Sequence, residues 1–442
     1  MTGPIEGDPW ERLRGLAMGQ RIEIASADGR TWRGTIVPPH ELSGERVIQI
    51  KLESGYNVGV RVSPSDRVTV FEAPAPAANG TASRAAPRST AGAVTSATPT
   101  VALLLTGGTI ASRVDYRTGG VRPVEEEAEI LSFYPDLDRD GPVRVVPVLD
   151  RLSEDIVPAD WQLLARRVAS VFSEGARGVV VAHGTDTLAF TAAALSFLLE
   201  ELPGPVVLVG AQRSPDRPSS DGFTNLTAAV RVARTAEVGE VLVLMHAGLS
   251  DDRFAIHRGT RVRKMHTSRR DAFRSLNGAP VGEVVGDTIT FRAEMRAPSG
   301  RGVRLDDRLD GGAALLWFQP GLEPTRAEAF AQGLRGLVLA GTGLGHVASV
   351  HLPWIRAAVA RGTVVVMTSQ CLEGAVDPYV YATGRELLRA GVLYAGDMLP
   401  ETAYVKLLWA LARTRDAGAA RALFLEDRAG EISPRRDYAE PP

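Results

Sequence analysis

The chain has 442 residues, 44% of them hydrophobic and 23% charged, a composition typical of a soluble protein long enough for two or three domains. Its formal net charge of -2 excludes a globally basic surface for nucleic acid, so any RNA contact would be local or made through a partner. The single cysteine, Cys371, excludes an intrachain disulfide, and the sequence shows neither a signal-peptide pattern nor a long apolar run, which predicts a cytoplasmic protein with no membrane contact.

Residues 1–75 contain several short segments in which apolar and polar residues alternate, separated by turn signals such as Asp28-Gly29 and Ser54-Gly55. This pattern predicts a small β-barrel of Sm-like or SH3-like type, a class of module that is usually an adaptor and seldom catalytic. Residues 76–99 are rich in Pro, Ala, Ser, Thr and Gly and lack large apolar residues, so we expect a flexible linker.

Residues 100–293 alternate between apolar strand candidates and amphipathic helix candidates, which predicts a doubly wound, mostly parallel sheet. The strand candidates are 101–105, 143–149, 178–182, 206–209 and 241–245, and the helix candidates are about 159–173, 187–200 and 222–235. A terminal hairpin is expected within 279–293. Residues 294–310 read as a polar interdomain connection, and 311–442 as a smaller α/β domain whose tail, from Asp427, is expected to be poorly ordered. The predicted fold class is therefore α/β, with a small N-terminal β-barrel followed by a two-domain α/β core.

The first apolar strand, Val101–Leu105, runs directly into Thr106-Gly107-Gly108-Thr109. Glycines at the carboxyl end of a parallel strand let backbone N–H groups approach a ligand, and Thr109 would offer a hydroxyl there. A simple turn is the alternative. The polar loop that follows could close over such a site, with Tyr116 polarising a threonine hydroxyl.

The strand at 178–182 ends in His183-Gly184-Thr185-Asp186, again a glycine followed by a hydroxyl, here with a carboxylate beside it. Asp186 could instead cap the next helix. Two strand ends of one sheet that each present a threonine after glycine favour a functional site.

The chain has only three lysines, Lys51, Lys264 and Lys406, although it has 50 lysines and arginines in total. Of these two residue types only lysine can lose its proton near neutral pH, so Lys264 beside Asp186 and a threonine would be a workable base. A solvated basic loop is the alternative for this segment. His183 and His266 lack metal-ligand spacing, so we predict structural roles for both and no metal site.

Further polar groups follow the neighbouring strands. Ser153 and Glu154 could bind the charged head of a small amino acid, or could cap the helix that begins near Pro158. The segment from Gly210 to Gly222 contains polar residues that a turn and a helix N-cap at Asp221 would explain equally well.

The ordered motifs TGGTIAS, HGTDTL, a later lysine and AGTGLGHV resemble the bacterial-type L-asparaginase family over about residues 100–420. The segments KLESGYNVGV, TIASRVDYRTGGVRP and TGRELLRAGVLYAGDMLPETAYVK are more similar to one branch of it. That branch comprises the D subunits of archaeal-type glutamyl-tRNA(Gln) amidotransferases, which are glutaminase-like and carry an N-terminal barrel.

The resemblance implies a role for each matching residue. Thr109 matches the family's primary nucleophile, which attacks the side-chain amide to give an acyl-enzyme and ammonia, and Tyr116 matches the tyrosine beside it. Thr185, Asp186 and Lys264 match the second set, which activates the nucleophile or water.

The resemblance also implies a substrate site. Ser153 and Glu154, with Asp186, match positions that hold the α-amino and α-carboxylate groups of the substrate. Backbone N–H groups near Gly108 and Gly184 would stabilise the oxyanion, each by about 2.7–4 kcal/mol.

By the same resemblance, the chain would hydrolyse glutamine and deliver ammonia to an E subunit that converts Glu-tRNA(Gln) to Gln-tRNA(Gln). ATP and Mg would then be used by that partner, tRNA would bind through the complex, and this chain would need no cofactor. The sequence contains no phosphate-binding glycine loop followed by lysine. A homodimer within a heterotetramer is implied.

Two other functions stay open. A free-standing L-asparaginase or glutaminase that keeps the barrel as a relic or regulator is the first. Glu154 and the AGTGLGHV segment depart from the secreted asparaginases and agree with the amidotransferase branch, but they leave the preference between glutamine and asparagine undecided. A non-catalytic ligand sensor or scaffold is the second, and the intact set of Thr109, Thr185, Asp186 and Lys264 argues against it.

Overall fold

The structure is a computed structural model, and it describes residues 8–16, 19–37, 45–52, 57–71, 100–107, 112–114, 121–123, 137–138, 140–213 and 220–433. The predicted linker at 76–99 lies outside these residues. The chain divides into two compact units, one containing the N-terminal region and one containing most of the rest.

The N-terminal unit has its own antiparallel sheet and its own apolar core. Strands pair in the order β4-β3-β2-β1-β5. Alternate residues of β1 point inward, so Ile22 and Ile24 are fully buried, and Leu13 of the short first helix packs against the same core. The elements are α1 (Pro9–Leu13), β1 (Arg21–Ala25), β2 (Thr31–Ile36), β3 (Val47–Leu52), β4 (Asn57–Arg61) and β5 (Arg67–Val70).

The second unit is built on an eight-stranded sheet with the order β18-β17-β14-β13-β12-β10-β6-β9. Its strands β9, β6, β10, β12 and β13 are parallel, and β14, β17 and β18 continue the sheet antiparallel. In chain order the strands are β6 (Val101–Leu105), β9 (Val143–Pro147), β10 (Gly178–Ala182), β12 (Val206–Val209), β13 (Val241–His246), β14 (Arg253–Arg258), β17 (Gly282–Val285) and β18 (Thr288–Phe291).

Three short two-stranded pairings accompany the sheets, each of them antiparallel. They are β7 (Ser112–Val114) with β8 (Val121–Pro123), β11 (Leu199–Glu200) with β19 (Arg304–Leu305), and β15 (Val262–Lys264) with β16 (Phe273–Ser275). The β15–β16 hairpin belongs to the second unit and carries Lys264.

Helices cover both faces of the large sheet, because its central strands are apolar on both sides. Helices α2 (Pro158–Ser173) and α3 (Leu188–Leu198) pack on one face, and α4 (Gly222–Thr235) packs on the other. All five residues of β6 and of β10 are buried. The predicted doubly wound α/β architecture is thus confirmed.

The last part of the chain forms a smaller parallel sheet with the order β20-β21-β22-β23. Helix α8 packs between this sheet and α3, and its Trp409 ring lies 6.2 Å from that of Phe197. The elements are β20 (Ala313–Trp317), α5 (Pro324–Ala331), β21 (Gly336–Gly341), α6 (Leu352–Ala360), β22 (Val364–Ser369), α7 (Ala382–Arg389), β23 (Leu393–Tyr394), α8 (Pro400–Leu411) and α9 (Ala417–Leu425).

The C-terminal region differs from the sequence-based expectation in two ways. Helix α9 was not predicted, and the expectation of poor order from Asp427 onwards is wrong for 427–433, where Glu431 is fully buried. The segment has a polar composition, which favours an exposed tail. The carboxylate of Glu431 is buried because it pairs with Lys406, 25 positions earlier, and the local composition gives no sign of that partner. In the described ranges, no helix combines the length and apolarity that crossing a membrane requires.

Candidate active site

The carboxyl ends of β6 and β10 lie side by side, because the two strands are parallel and Leu105 pairs with Ala182. The hydroxyl and the backbone N–H of Thr106 both donate to the carbonyl of Ala182, at 3.0 and 3.1 Å. Thr106 therefore fixes the point at which the chain leaves the sheet. Gly108, Thr109 and Tyr116 follow this point and lie outside the described residues.

Gly107 requires glycine for two reasons. Its φ is +94°, a region that L side chains rarely adopt, and a Cβ there would lie 2.4 Å from the carbonyl oxygen of Arg151. The segment after β6 is thus pressed against the segment after β9, which carries Ser153.

The end of β10 contacts the same segment. A Cβ on Gly184 would lie 2.8 Å from that of Ser153, and the Thr187 hydroxyl donates to the Ser153 carbonyl at 2.5 Å. Ser153 is buried in a short 3-10 helix (Ser153–Asp155), whereas Glu154 is exposed beside it. The Ser153 hydroxyl lies 3.4 Å from the Glu154 carboxylate, a long hydrogen bond.

Lys264 reaches this edge from the β15–β16 hairpin. Its ammonium donates to the Thr185 hydroxyl at 2.8 Å and to the Asp186 carboxylate at 2.7 Å. The lysine side chain is 13% exposed and that of Asp186 is 67% exposed, so the pair sits at a solvent boundary with the lysine on the inner side. Thr185 itself is buried.

Asp186 does not act as a helix cap in this structure. The N-cap position of α3 is Thr187, and no side chain there caps the helix. The carboxylate of Asp186 instead pairs with Lys264, a contact across 78 positions of sequence. Asp221 likewise stands at the N-cap of α4 without a capping hydrogen bond, and its carboxylate accepts from the backbone N–H of Gln212 at 3.0 Å.

His183 is fully buried and forms part of a hydrogen-bonded chain that the sequence did not reveal. The Trp161 indole donates to the Thr191 hydroxyl at 3.0 Å, and this hydroxyl lies 2.8 Å from Nε2 of His183. On the other side, Nδ1 lies 2.6 Å from the Gly184 carbonyl, which can only accept. The hydrogen-bond pattern therefore assigns the Nδ1–H tautomer, and the ring fixes the Gly184–Thr185 peptide.

The buried setting of His183 makes stability depend on pH. Burial lowers the pKa of His183 from 6.5 to about 4 in the folded chain, so the unfolded chain takes up a proton first as the pH falls. This contribution is complete above pH 6.5 and declines towards pH 4, with a loss of about 2 kcal/mol between pH 7 and pH 5.

The measurement is urea unfolding at both pH values for the wild type and His183→Asn, whose amide can still donate to the Gly184 carbonyl. We expect the variant to lose about 2 kcal/mol less than the wild type over this interval. Equal losses in the two proteins would contradict the burial of a neutral His183.

A second polar chain lies at the neighbouring strand ends and was also missed by sequence reasoning. Asn225 donates to the Gly210 carbonyl at 3.0 Å and bonds to His246 at 2.7 Å, and Asp251 bonds to His246 at 2.9 Å. Burial acts to raise the pKa of Asp251, but hydrogen bonds from His246 and Arg270 hold it below its usual value. One indication of this chain was present in the sequence: Asp221 and Asn225 are polar residues spaced by four on a face of α4 that is otherwise apolar.

The structure therefore brings together Ser153, Gly184, Thr185, Asp186 and Lys264, with Glu154 at the rim. A buried hydroxyl that accepts from an ammonium can donate its own proton elsewhere, which is an arrangement suited to proton transfer. No group of three or more His, Cys, Asp or Glu side chains in the described residues could hold a metal ion.

Comparison with known families covers most of the chain. The family models for "Asparaginase, N-terminal" and "Glutaminase/Asparaginase C-terminal domain" match residues 100–297 and 314–424. The model for "GatD N-terminal domain" matches residues 16–71.

Individual relatives extend over nearly the full length. The chain is 44% identical over 437 residues to the D subunit of the glutamyl-tRNA(Gln) amidotransferase of Pyrococcus furiosus, with 97% of each chain covered. It is 46% identical over 438 residues to the D subunit from Methanopyrus kandleri, covering 97% of this chain and 94% of the relative.

Among solved structures, the thermostable L-asparaginase of Thermococcus kodakarensis superposes with a TM-score of 0.70 at 36% identity. The match covers 76% of this chain and all of that one. L-asparaginase I of Vibrio cholerae gives a TM-score of 0.67 at 28% identity, with the same coverage. The near-complete match to these D subunits, together with the matched N-terminal module and the asparaginase-like core, shows that this chain belongs to the family of glutamyl-tRNA(Gln) amidotransferase D subunits.

Proposed function

We propose that this chain is the glutaminase subunit of a tRNA-dependent amidotransferase. It hydrolyses glutamine to glutamate and ammonia, and a partner E subunit uses the ammonia to convert Glu-tRNA(Gln) to Gln-tRNA(Gln). The observation that carries the proposal is the contact of Lys264 with Thr185 and Asp186 at the edge where β6 and β10 end. Membership of the D-subunit family supplies the substrate and the partner.

In the proposed mechanism the Thr109 hydroxyl attacks the side-chain amide carbon of glutamine, and Tyr116 polarises that hydroxyl. The tetrahedral oxyanion is held by backbone N–H groups near Gly108 and Gly184, and its collapse breaks the C–N bond and releases ammonia. Water then attacks the acyl-enzyme, so that glutamate leaves and the hydroxyl of Thr109 is restored.

Proton transfer falls to Thr185, Asp186 and Lys264. Asp186 holds the ammonium of Lys264 at 2.7 Å, and the ammonium contacts the Thr185 hydroxyl at 2.8 Å, so the three groups form one hydrogen-bonded unit. In its neutral form Lys264 can accept a proton from the Thr109 hydroxyl, either directly or through Thr185, and pass it to the departing nitrogen so that ammonia leaves. In the second step it can take a proton from water and return it to the Thr109 oxygen.

Substrate binding is assigned to the rim of the same site. The carboxylates of Asp186 and Glu154 suit the α-amino group of an amino acid, and the Ser153 hydroxyl can donate to its α-carboxylate. Glu154 and Asp186 are both exposed, as groups that meet a diffusing substrate must be.

The division of labour agrees with the charge of the chain. A net charge of -2 gives no general attraction to RNA, so tRNA binding and the ATP- and Mg-dependent chemistry are assigned to the E subunit. A homodimer of this chain within a heterotetramer, acting in the cytoplasm, completes the proposal.

A free-standing asparaginase or glutaminase is the second candidate, and the N-terminal unit distinguishes the two. The asparaginase of Thermococcus kodakarensis is matched over its whole length by only 76% of this chain, so that enzyme has no counterpart to the remainder. The N-terminal unit, which has a core of its own, is expected to serve the partner or the tRNA.

Deletion of residues 1–75 tests that assignment. Because the related asparaginase has no counterpart to this unit, we expect the truncated chain to fold and to keep the low amidase activity that the intact chain has without its partner. We also expect binding to the E subunit and coupled amidation to be lost, as measured by co-sedimentation and by formation of Gln-tRNA(Gln). Unchanged binding and amidation would rule out the adaptor role.

A further inference from the structure

Lys406 is one of only three lysines in the chain, and the proposed hydrolysis does not use it. Its side chain and that of its ion-pair partner, Glu431, are both 0% exposed. The ammonium lies 5.9 Å from the ring centroid of Phe197 and 5.5 Å from that of Phe424. Burial lowers the pKa of Lys406, and the carboxylate of Glu431 opposes this shift. A buried ion pair is costly to form, so its location calls for a reason.

Glu431 folds the end of the described chain onto Lys406. Its carboxylate accepts from the backbone N–H of Arg428 at 3.0 Å and from that of Ala429 at 2.6 Å, while Lys406 also donates to the carbonyl of Glu426. Residues 426–433, which we name the C-terminal strap, are thereby closed into one compact turn. The strap lies beyond residue 424, where the match to the asparaginase C-terminal domain ends.

The strap contacts the residues that lead into the β15–β16 hairpin. The hydroxyl of Thr260, a buried residue, donates to the Ala429 carbonyl at 3.0 Å. The guanidinium of Arg261 donates to the Gly430 carbonyl at 2.8 Å and to the Ser433 hydroxyl at 2.9 Å. The two carbonyls that hold this entry point belong to Ala429 and Gly430, which lie between Arg428 and Glu431 in the turn that the Glu431 carboxylate closes.

Lys264 is three residues beyond Arg261, at the end of β15. Arg261 also donates to Asp397 at 2.6 Å, and Arg263 donates to Glu401, on α8, at 2.8 Å. The short strand is thus held by the strap and by the region of α8, the helix that carries Lys406. A shift of the strap would move the backbone from which Lys264 extends to Thr185 and Asp186.

We propose that Lys406 and Glu431 are positioning residues for Lys264, acting through the C-terminal strap. The ion pair locks the strap, the strap fixes Thr260 and Arg261, and these residues set the path of β15. The inference rests on the proposed function only in taking Lys264 as part of the hydrolytic set.

The test uses the full-length variant Glu431→Gln, which keeps the shape of the side chain and removes its charge. We expect hydrogen exchange of backbone amides 260–264 to become faster. In the complex with the E subunit and Glu-tRNA(Gln), we also expect kcat for glutamine hydrolysis to fall roughly 10- to 100-fold, with a smaller change in KM, because a displaced catalytic group loses rate more than affinity. Asp310→Asn is the matched control, since Asp310 pairs with Arg335 near the other end of α8 and does not touch the strap.

Two milder substitutions, both at Thr260, provide the same test if Glu431→Gln fails to fold. Thr260→Val removes the hydroxyl that contacts Ala429, whereas Thr260→Ser retains it. We expect the valine variant to show faster exchange and lower kcat, and the serine variant to recover both.

Unchanged exchange of amides 260–264 in Glu431→Gln and Thr260→Val would show that the strap does not hold these residues. Faster exchange with an unchanged kcat would show that the strap holds them but does not position Lys264. If the wild type released no ammonia from glutamine or asparagine even in the complex with the E subunit and Glu-tRNA(Gln), the proposed function would fall and the positioning role with it. The exchange data would distinguish that case from failure of the strap itself.

Discussion

Replacement of Lys264 with arginine is expected to lower kcat for glutamine hydrolysis by about 10²- to 10⁴-fold, the usual contribution of a general acid or base. Arginine keeps the positive charge and can still pair with Asp186, so KM should change much less than kcat. It stays protonated in proteins, however, and so cannot accept a proton from a nucleophile or water. The measurement is steady-state ammonia release in the complex with the E subunit and Glu-tRNA(Gln), with circular dichroism of the isolated chain to confirm folding.

Arg263→Lys is the matched control for this substitution. Arg263 is the preceding residue of β15, and its guanidinium pairs with Glu401 and lies 5.8 Å from the ring centroid of Trp317. The control therefore swaps arginine and lysine in the reverse direction, at a side chain that pairs with Glu401 and not with Asp186. We expect it to retain most of the activity. Near-normal turnover by Lys264→Arg would show that the lysine acts only as a charge.

Gly107→Ala is expected to destabilise the fold by about 2–5 kcal/mol, the sum of left-handed strain and a backbone collision. The new Cβ would lie 2.4 Å from the Arg151 carbonyl, an atom that cannot rotate away. Hydrolysis should fall as well, because Gly107 immediately precedes the Gly108–Thr109 segment. Chemical denaturation and ammonia release measure the two effects.

Gly175→Ala separates strain from collision. Gly175 has a φ of +95°, nearly the same as Gly107, but nothing lies within 4 Å of the Cβ that alanine would add there. Only the strain of about 1–2 kcal/mol should remain, with activity retained. Equal destabilisation by the two substitutions would show that the backbone near Arg151 shifts to avoid the collision at no cost in the free energy of unfolding.

Much of the α/β core could be predicted because its signals are local. The runs Val101–Leu105 and Gly178–Ala182 contain no polar side chain that could face solvent, so they fit the buried interior of a parallel sheet. Helix 222–235 was predicted with the bounds that the structure shows. The glycines after the two strands then indicated where a site would form, and Lys264 does lie beside Thr185 and Asp186.

The features that escaped prediction depend on side-chain contacts that the neighbouring residues in the sequence do not specify. Glu431 in a polar tail looks solvated until its partner Lys406 is known, and Thr191 on an apolar helix gives no sign that its hydroxyl serves His183. Long-range polar pairing is invisible to a local pattern.

The proposed role of this chain is to supply ammonia from glutamine to a partner. The most direct test measures ammonia release by the purified chain with glutamine and with asparagine, first alone and then with the E subunit and charged Glu-tRNA(Gln). We expect little release by the chain alone and strong glutamine turnover in the complex. Fast turnover of asparagine by the isolated chain would contradict it and identify a free amidohydrolase.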